Sequence, residues 1–202
     1  MAQTDGPVSI LSFVTPLDTA LAEGSAYTYR INCLWNKDSV DLLWVNPEEY
    51  DRVQAKRIKN ATDTAGLEGK RQFLFTTSQN CFSYALQKYF EHHRIDCSPL
   101  IDSLTKINSD AMSQILASSF KKRLSFHTKP ARNLKTPLPD GSLVLFRYKN
   151  GRLQHAMFYS DGVIHSKNGM WPATEYRKLK EPFKKYWDAG TVEVYFHREI
   201  GV

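Results

Sequence analysis

At 202 residues, 42% of them hydrophobic and 24% charged, the chain has the length and balance of one well-buried globular unit. It holds no repeat, no low-complexity tract and no apolar run near the roughly 18 residues of a membrane-spanning helix. A formal net charge of +6 points to an anionic partner such as nucleic acid, a phospholipid surface or an acidic wall polymer.

The opening residues, MAQTDGPVSILSFV, lack the basic-then-apolar layout of a secretory signal. The expectation is a protein that stays cytoplasmic until delivered by a non-Sec route, or that is injected or released. Residues 7 to 14 read as a short strand. The stretch AYTYRINCLW alternates, with Tyr27, Tyr29, Ile31 and Cys33 on one face, and VDLLWV returns as the second arm of a hairpin. PEEYDRVQAKRIK reads as a helix, with Pro47 at its first position and Glu48 and Glu49 in the first turn, where the helix dipole favours negative charge. NATDTAGLEGK is polar and carries two glycines, so it reads as a linker. It divides a β-rich N-terminal section, residues 1–70, from a main unit, residues 71–202.

SQNCFSYALQKYF fits a helix with Asn80 as N-cap. Phe82, Ala85, Leu86, Tyr89 and Phe90 form its apolar stripe, and Cys81 lies in the first turn. CSPLIDSLTKI reads as a helix capped by Ser98, and NSDAMSQILASSFKKRL as another with Met112, Ile115 and Leu116 inward. From residue 138 the period changes to two, in SLVLFRY, RLQHAMFYS, GVIHS and TVEVYFHREI. A helical middle followed by an antiparallel meander is an α+β layout. His127 and His197 read as surface positions.

Chemistry concentrates on Cys81, His155 and His165. A thiol attacks a carbonyl as thiolate, and a helix N-terminus with a neighbouring imidazolium can bring its pKa from about 8.5 to below about 7.5. Whether the two histidines work together depends on the turn in HAMFYSDGVIHS. A two-residue Asp-Gly loop puts them on opposite faces; a three-residue loop, Ser160 to Gly162, puts them on one face. The sequence permits both, and a functional pair requires the second. His155 is then the base that deprotonates Cys81, and His165 orients the ring. The Cys81 backbone N–H, at the helix start, is a candidate oxyanion donor, with Gln79 or Gln72 as candidate second donor. Asn80 belongs to the same weak substrate-binding set, as does Trp171, which is placed to line a groove. The cluster His92, His93 and Cys97 lacks a fourth ligand at suitable spacing, so no metal site is expected. The three cysteines are an odd number without Cys-x-x-Cys spacing, which argues against a disulfide framework.

In order along the chain, NCFSYAL, PDGSLVLF and HAMFYSDGVIHSKNG resemble the Cys, Gly-Asp-Leu-Val-Phe-Phe, His-Val-Gly-Ile-Tyr, Ile-His-Ala series of the NlpC-type cell-wall peptidases, with the CHAP amidases as neighbours. The resemblance covers roughly residues 78 to 170. It implies a papain-like core built on an N-terminal catalytic helix and a β-meander, with Cys81 as nucleophile, His155 as general base and His165 as third polar residue. It also implies hydrolysis of amide bonds in peptidoglycan stem peptides, typically at γ-D-glutamyl linkages, without a cofactor. With no signal peptide, the biology expected is an interbacterial effector, which would need an immunity protein in its producer, or a phage lytic protein. Two alternatives stand beside it. One is a papain-like hydrolase or acyltransferase acting on another amide or ester. The other is a non-catalytic basic module that binds nucleic acid through Tyr176, Tyr186 and Trp187 interleaved among lysines.

Overall fold

The apolar residues of the N-terminal hairpin and of the middle helices bury against one another, which ties the two halves of the chain together. The computed structural model describes residues 7–57, 64–128, 138–169 and 171–199. In chain order the strands are β1 (Val8–Ser9), β2 (Val14–Leu21), β3 (Thr28–Trp35), β4 (Asp38–Val45), β5 (Ile95–Asp96), β6 (Thr105–Lys106), β7 (Phe120–His127), β8 (Ser142–Tyr148), β9 (Leu153–Ser160), β10 (Val163–Lys167), β11 (Ala173–Tyr176) and β12 (Ala189–His197). The helices are α1 (Pro47–Arg57), α2 (Thr64–Ser78), α3 (Cys81–His92) and α4 (Ser109–Ser119). The chain is therefore α+β. Among the described residues no helix is long and apolar enough to cross a membrane.

Two antiparallel sheets carry the architecture. One has four strands in the order β2-β3-β4-β6; the other has six in the order β11-β10-β9-β8-β12-β7. Helix α4 touches β3 and β4 of the first sheet and β7 and β9 of the second, while α3 lies on β8, β9 and β10. A single apolar cluster joins Cys33, Trp35 and Leu42 of the hairpin to Leu86 and Phe90 of α3, Ile115 of α4 and Phe158 of β9. The expected apolar stripes of α3 and α4 are the buried ones. The opposite face of the six-stranded sheet has its own cluster, in which Phe146, Met157 and Val194 lie under Leu179 and Phe183 of the 177–188 segment.

Three expectations need correction. The division at residue 70 falls inside α2, because the glycine-containing segment continues as helix into RQFLFTTS. There Leu74 packs in one cluster with Tyr50 of α1, an apolar contact that outweighs the weak helix propensity of glycine. Residues 58–63 of the expected linker lie outside the described residues. CSPLIDS forms turns, not a helix: Asp96 Oδ1 accepts from Ser98 N and Oγ, and Asp102 Oδ1 accepts from Leu104 N and Thr105 Oγ1. Such local bonds compete with helix formation. Finally, FKKRL leaves α4 and pairs with β12 as strand β7.

Candidate active site

Cys81 opens α3 beneath a complete cap. The Asn80 side-chain oxygen accepts from Ser83 N at 3.2 Å, and Ser83 Oγ accepts from Asn80 N at 3.2 Å. Asn80 Nδ2 also donates to Ile107 O at 2.6 Å, which moors the helix start to the segment before α4. The side chain of Asn80 is thus committed to the scaffold and does not face a substrate.

Cys81 packs against the apolar cluster that contains Phe82 and Ala156, and the backbone amides of Ala156, Phe82 and Cys81 itself act on its thiol. Ala156 N belongs to the peptide bond that joins it to His155, so the thiol and the His155 backbone meet at one point of β9. Cys81 as a residue is only partly buried, but its sulfur is desolvated. Burial pushes the thiol up to about 11, outweighing the three amides that pull it down. Burial thus works against the expected low-pKa thiolate and favours the neutral thiol.

His155 is 1% exposed. Its Nε2 lies 2.8 Å from Ser166 Oγ, and its ring stacks on Tyr186 with centroids 4.1 Å apart and planes at 18°. Burial, and secondarily the positive charge of Lys185, lower its pKa to about 3, so the imidazole is also neutral. In the tautomer in which Nε2–H donates to Ser166 Oγ, Nδ1 is the basic nitrogen. No hydrogen bond joins Cys81 to His155 among the described residues, consistent with two neutral groups and no ion pair.

The turn between β9 and β10 decides the third residue. Ser160 pairs with Val163, Tyr159 with Ile164 and Phe158 with His165. Asp161 (φ 50°) and Gly162 (φ 76°) form a two-residue loop with both central residues at positive φ, the type whose twist matches that of the strands. His155 and His165 therefore leave opposite faces of the sheet. His165 instead faces Glu175 Oε1 at 3.5 Å and Ser160 Oγ at 3.5 Å, and its ring lies over Phe158. The residue that shares the face of His155 and bonds it is Ser166, which is fully buried. The Asp-Gly dipeptide permits this two-residue pairing, which selects Ser166 in place of His165, but the same letters also fit the three-residue loop.

Gln79 is 6% exposed and its Nε2 donates to Gln87 Oε1 at 2.6 Å and to Asp102 O at 3.1 Å. Both amide hydrogens are in use, so Gln79 is a structural tie and not an oxyanion donor. Trp171 is 71% exposed, and its carbonyl accepts from Lys167 Nζ at 2.9 Å. Lys167 also donates to Thr76 O at 2.6 Å near the C-terminus of α2, so this buried lysine pins the Trp171 loop to the helix that precedes Cys81. Behind the His155 ring, Tyr186 Oη donates to Asn168 Oδ1 at 2.9 Å, and Asn168 Nδ2 donates to Tyr176 Oη at 3.2 Å. Burial first, then the charge of a Cys81 thiolate, raises the Tyr186 phenol. Tyr186 thus borders both halves of the site. Sequence patterning gave no sign of Asn168 or Lys167, since each acts through a loop or a helix end.

Comparison with protein-family models, with curated proteins and with solved structures finds no match for this chain.

Proposed function

We propose that the protein is a cysteine hydrolase of papain-like, NlpC-type architecture that cleaves amide bonds in peptidoglycan stem peptides. The observation that carries this reading is the Cys81 sulfur at the start of α3, against the amide of the His155–Ala156 bond, with Nε2 of His155 held by the buried Ser166 hydroxyl. The ordered resemblance along the chain supports the substrate class, and the net charge of +6 suits an anionic wall polymer.

In this mechanism the thiol proton moves to His155 Nδ1 as the sulfur attacks the scissile carbonyl. The imidazolium then protonates the leaving amine, and a thioester remains on Cys81. Water, deprotonated by His155, releases the acid and restores the thiol. The imidazolium is stabilised by Ser166 accepting from Nε2–H. The first-turn amides of Cys81 and Phe82, which have no intrahelical acceptor, donate to the tetrahedral oxyanion. Delivery as an interbacterial effector or a phage lytic protein fits the same reading, an effector requiring an immunity protein in its producer.

Incubation of wild type and Cys81→Ala with purified peptidoglycan, followed by mass spectrometry of released fragments, tests this reading. New amino and carboxyl termini from the wild type alone are expected at the cleaved bond. An untouched wall with both proteins rejects the substrate.

A further inference from the structure

The segment from Arg177 to Asp188 is two-sided. Leu179, Pro182, Phe183 and Tyr186 turn inward, and Phe183 stacks on Phe146 of β8 with centroids 4.6 Å apart, so the segment is fastened to the sheet. Arg177, Lys178, Lys180, Lys184 and Lys185 all face solvent, and none joins an ion pair among the described residues. The acids within the segment are turned to other work: Glu181 accepts from Arg177 N, and Asp188 accepts from Gln154 Nε2. Five cations in nine residues thus form an outward ridge on a fixed backbone.

This ridge is continuous with the candidate site, because Tyr186 stacks on His155 and Lys185 bears on its charge. We propose that the 177–188 ridge is a docking surface for the anionic wall polymer that carries the scissile peptide, holding carboxylates of the polymer beside Cys81. The proposal rests on the hydrolase reading for the identity of the polymer. A single-stranded nucleic acid suits the ridge less well, because its binding needs aromatic platforms for successive bases. Of the four aromatic residues the segment and its approach offer, Phe183 is stacked on Phe146, Tyr186 is stacked on His155 and hydrogen-bonded to Asn168, and Tyr176 is bonded to the same Asn168. Trp187 is 73% exposed, and one outward ring can lie against one sugar but cannot form a ladder.

The test is co-sedimentation with purified sacculi of Cys81→Ala and of the same protein carrying Lys178→Gln, Lys180→Gln and Lys184→Gln. The expected result is salt-sensitive binding by the first and roughly tenfold weaker binding by the second, as for the loss of several exposed charge contacts. Lys184→Glu, with unchanged circular dichroism, should weaken binding in the same direction. Equal sedimentation of all variants overturns the proposal. So does ridge-dependent binding of a single-stranded DNA oligonucleotide by protein that ignores sacculi. Ridge-dependent sedimentation together with a wall left intact by the wild type leaves the docking surface standing and removes the hydrolase reading.

Discussion

His155 Nε2 and Ser166 Oγ lie 2.8 Å apart on adjacent strands, with Tyr186 closing over the ring. Ser166 is the hydrogen-bond partner of His155, and His165 stands on the other face of the sheet. Ser166→Ala should therefore lower kcat roughly tenfold to hundredfold with little change in KM, the loss expected when a base is left free to turn. Ser166→Thr should restore most of it, and His165→Ala should leave turnover close to wild type. Steady-state kinetics on isolated wall fragments checks all three, and a His165→Ala defect as large as that of Ser166→Ala sinks the assignment.

The α+β class, the Asn80 cap and the buried stripes of α3 and α4 were legible because each depends on local spacing that packing then obeys. The placement of Cys81 at a helix start and of His155 on a strand was legible for the same reason. Ser166 could not, since the parity of a hairpin depends on one turn whose two-residue and three-residue forms fit the same letters. The environment of Cys81 was equally hidden. A helix N-terminus argues for a low thiol pKa, but the burial that reverses it depends on tertiary packing that local spacing does not show. The setting of His197 is hidden in the same way: it is buried, not at the surface, because the side it turns outward from β12 meets Phe13, Phe90 and Phe120 from three distant segments.

Because burial raises the Cys81 thiol to about 11 and lowers the His155 imidazole to about 3, the free protein should not behave as a preformed thiolate–imidazolium pair. Iodoacetamide should label Cys81 no faster at pH 6 than an ordinary thiol, with the rate rising steadily above pH 8. Peptide mapping separates Cys81 from Cys33 and Cys97, whose thiols burial raises to about 11 and about 12. A plateau in Cys81 labelling between pH 5 and pH 8 would falsify the neutral resting state.

Asn80 links a helix cap to the loop before α4, so its loss should act on both. Asn80→Ala removes the acceptor for Ser83 N and leaves the Ile107 carbonyl without its 2.6 Å donor. The expected cost is about 2 to 3 kcal/mol, from the typical worth of a cap together with an unsatisfied carbonyl. Asn80→Asp keeps the capping oxygen but loses the donor, and should cost less. Urea denaturation of both variants gives the order; equal midpoints for Asn80→Ala and wild type would show that the cap carries no stability.

Acid should unfold the protein earlier than its carboxylates alone require. His197 is 2% exposed, its Nδ1 accepts from Glu199 N at 3.2 Å, and its buried Nε2 has no partner among the described residues. Burial, and then the nearby charge of His93, lower its pKa to about 4. His93 is lowered as well, by burial first, although its hydrogen bond to Gly141 O works in the other direction. A histidine whose folded pKa lies below its unfolded value binds fewer protons when folded, so stability is complete above about pH 6.5 and declines as pH falls towards the folded pKa. For His197 the full decline is on the order of 3 kcal/mol, reached near pH 4, and His155 adds a loss that continues towards pH 3. His197→Phe removes the titrating group within a cage of aromatic rings. It should flatten the dependence of the urea midpoint on pH between 6.5 and 4 relative to wild type, whatever its effect at pH 7. Parallel curves for the two proteins would mean that His197 protonates without cost in the folded protein, which contradicts its burial.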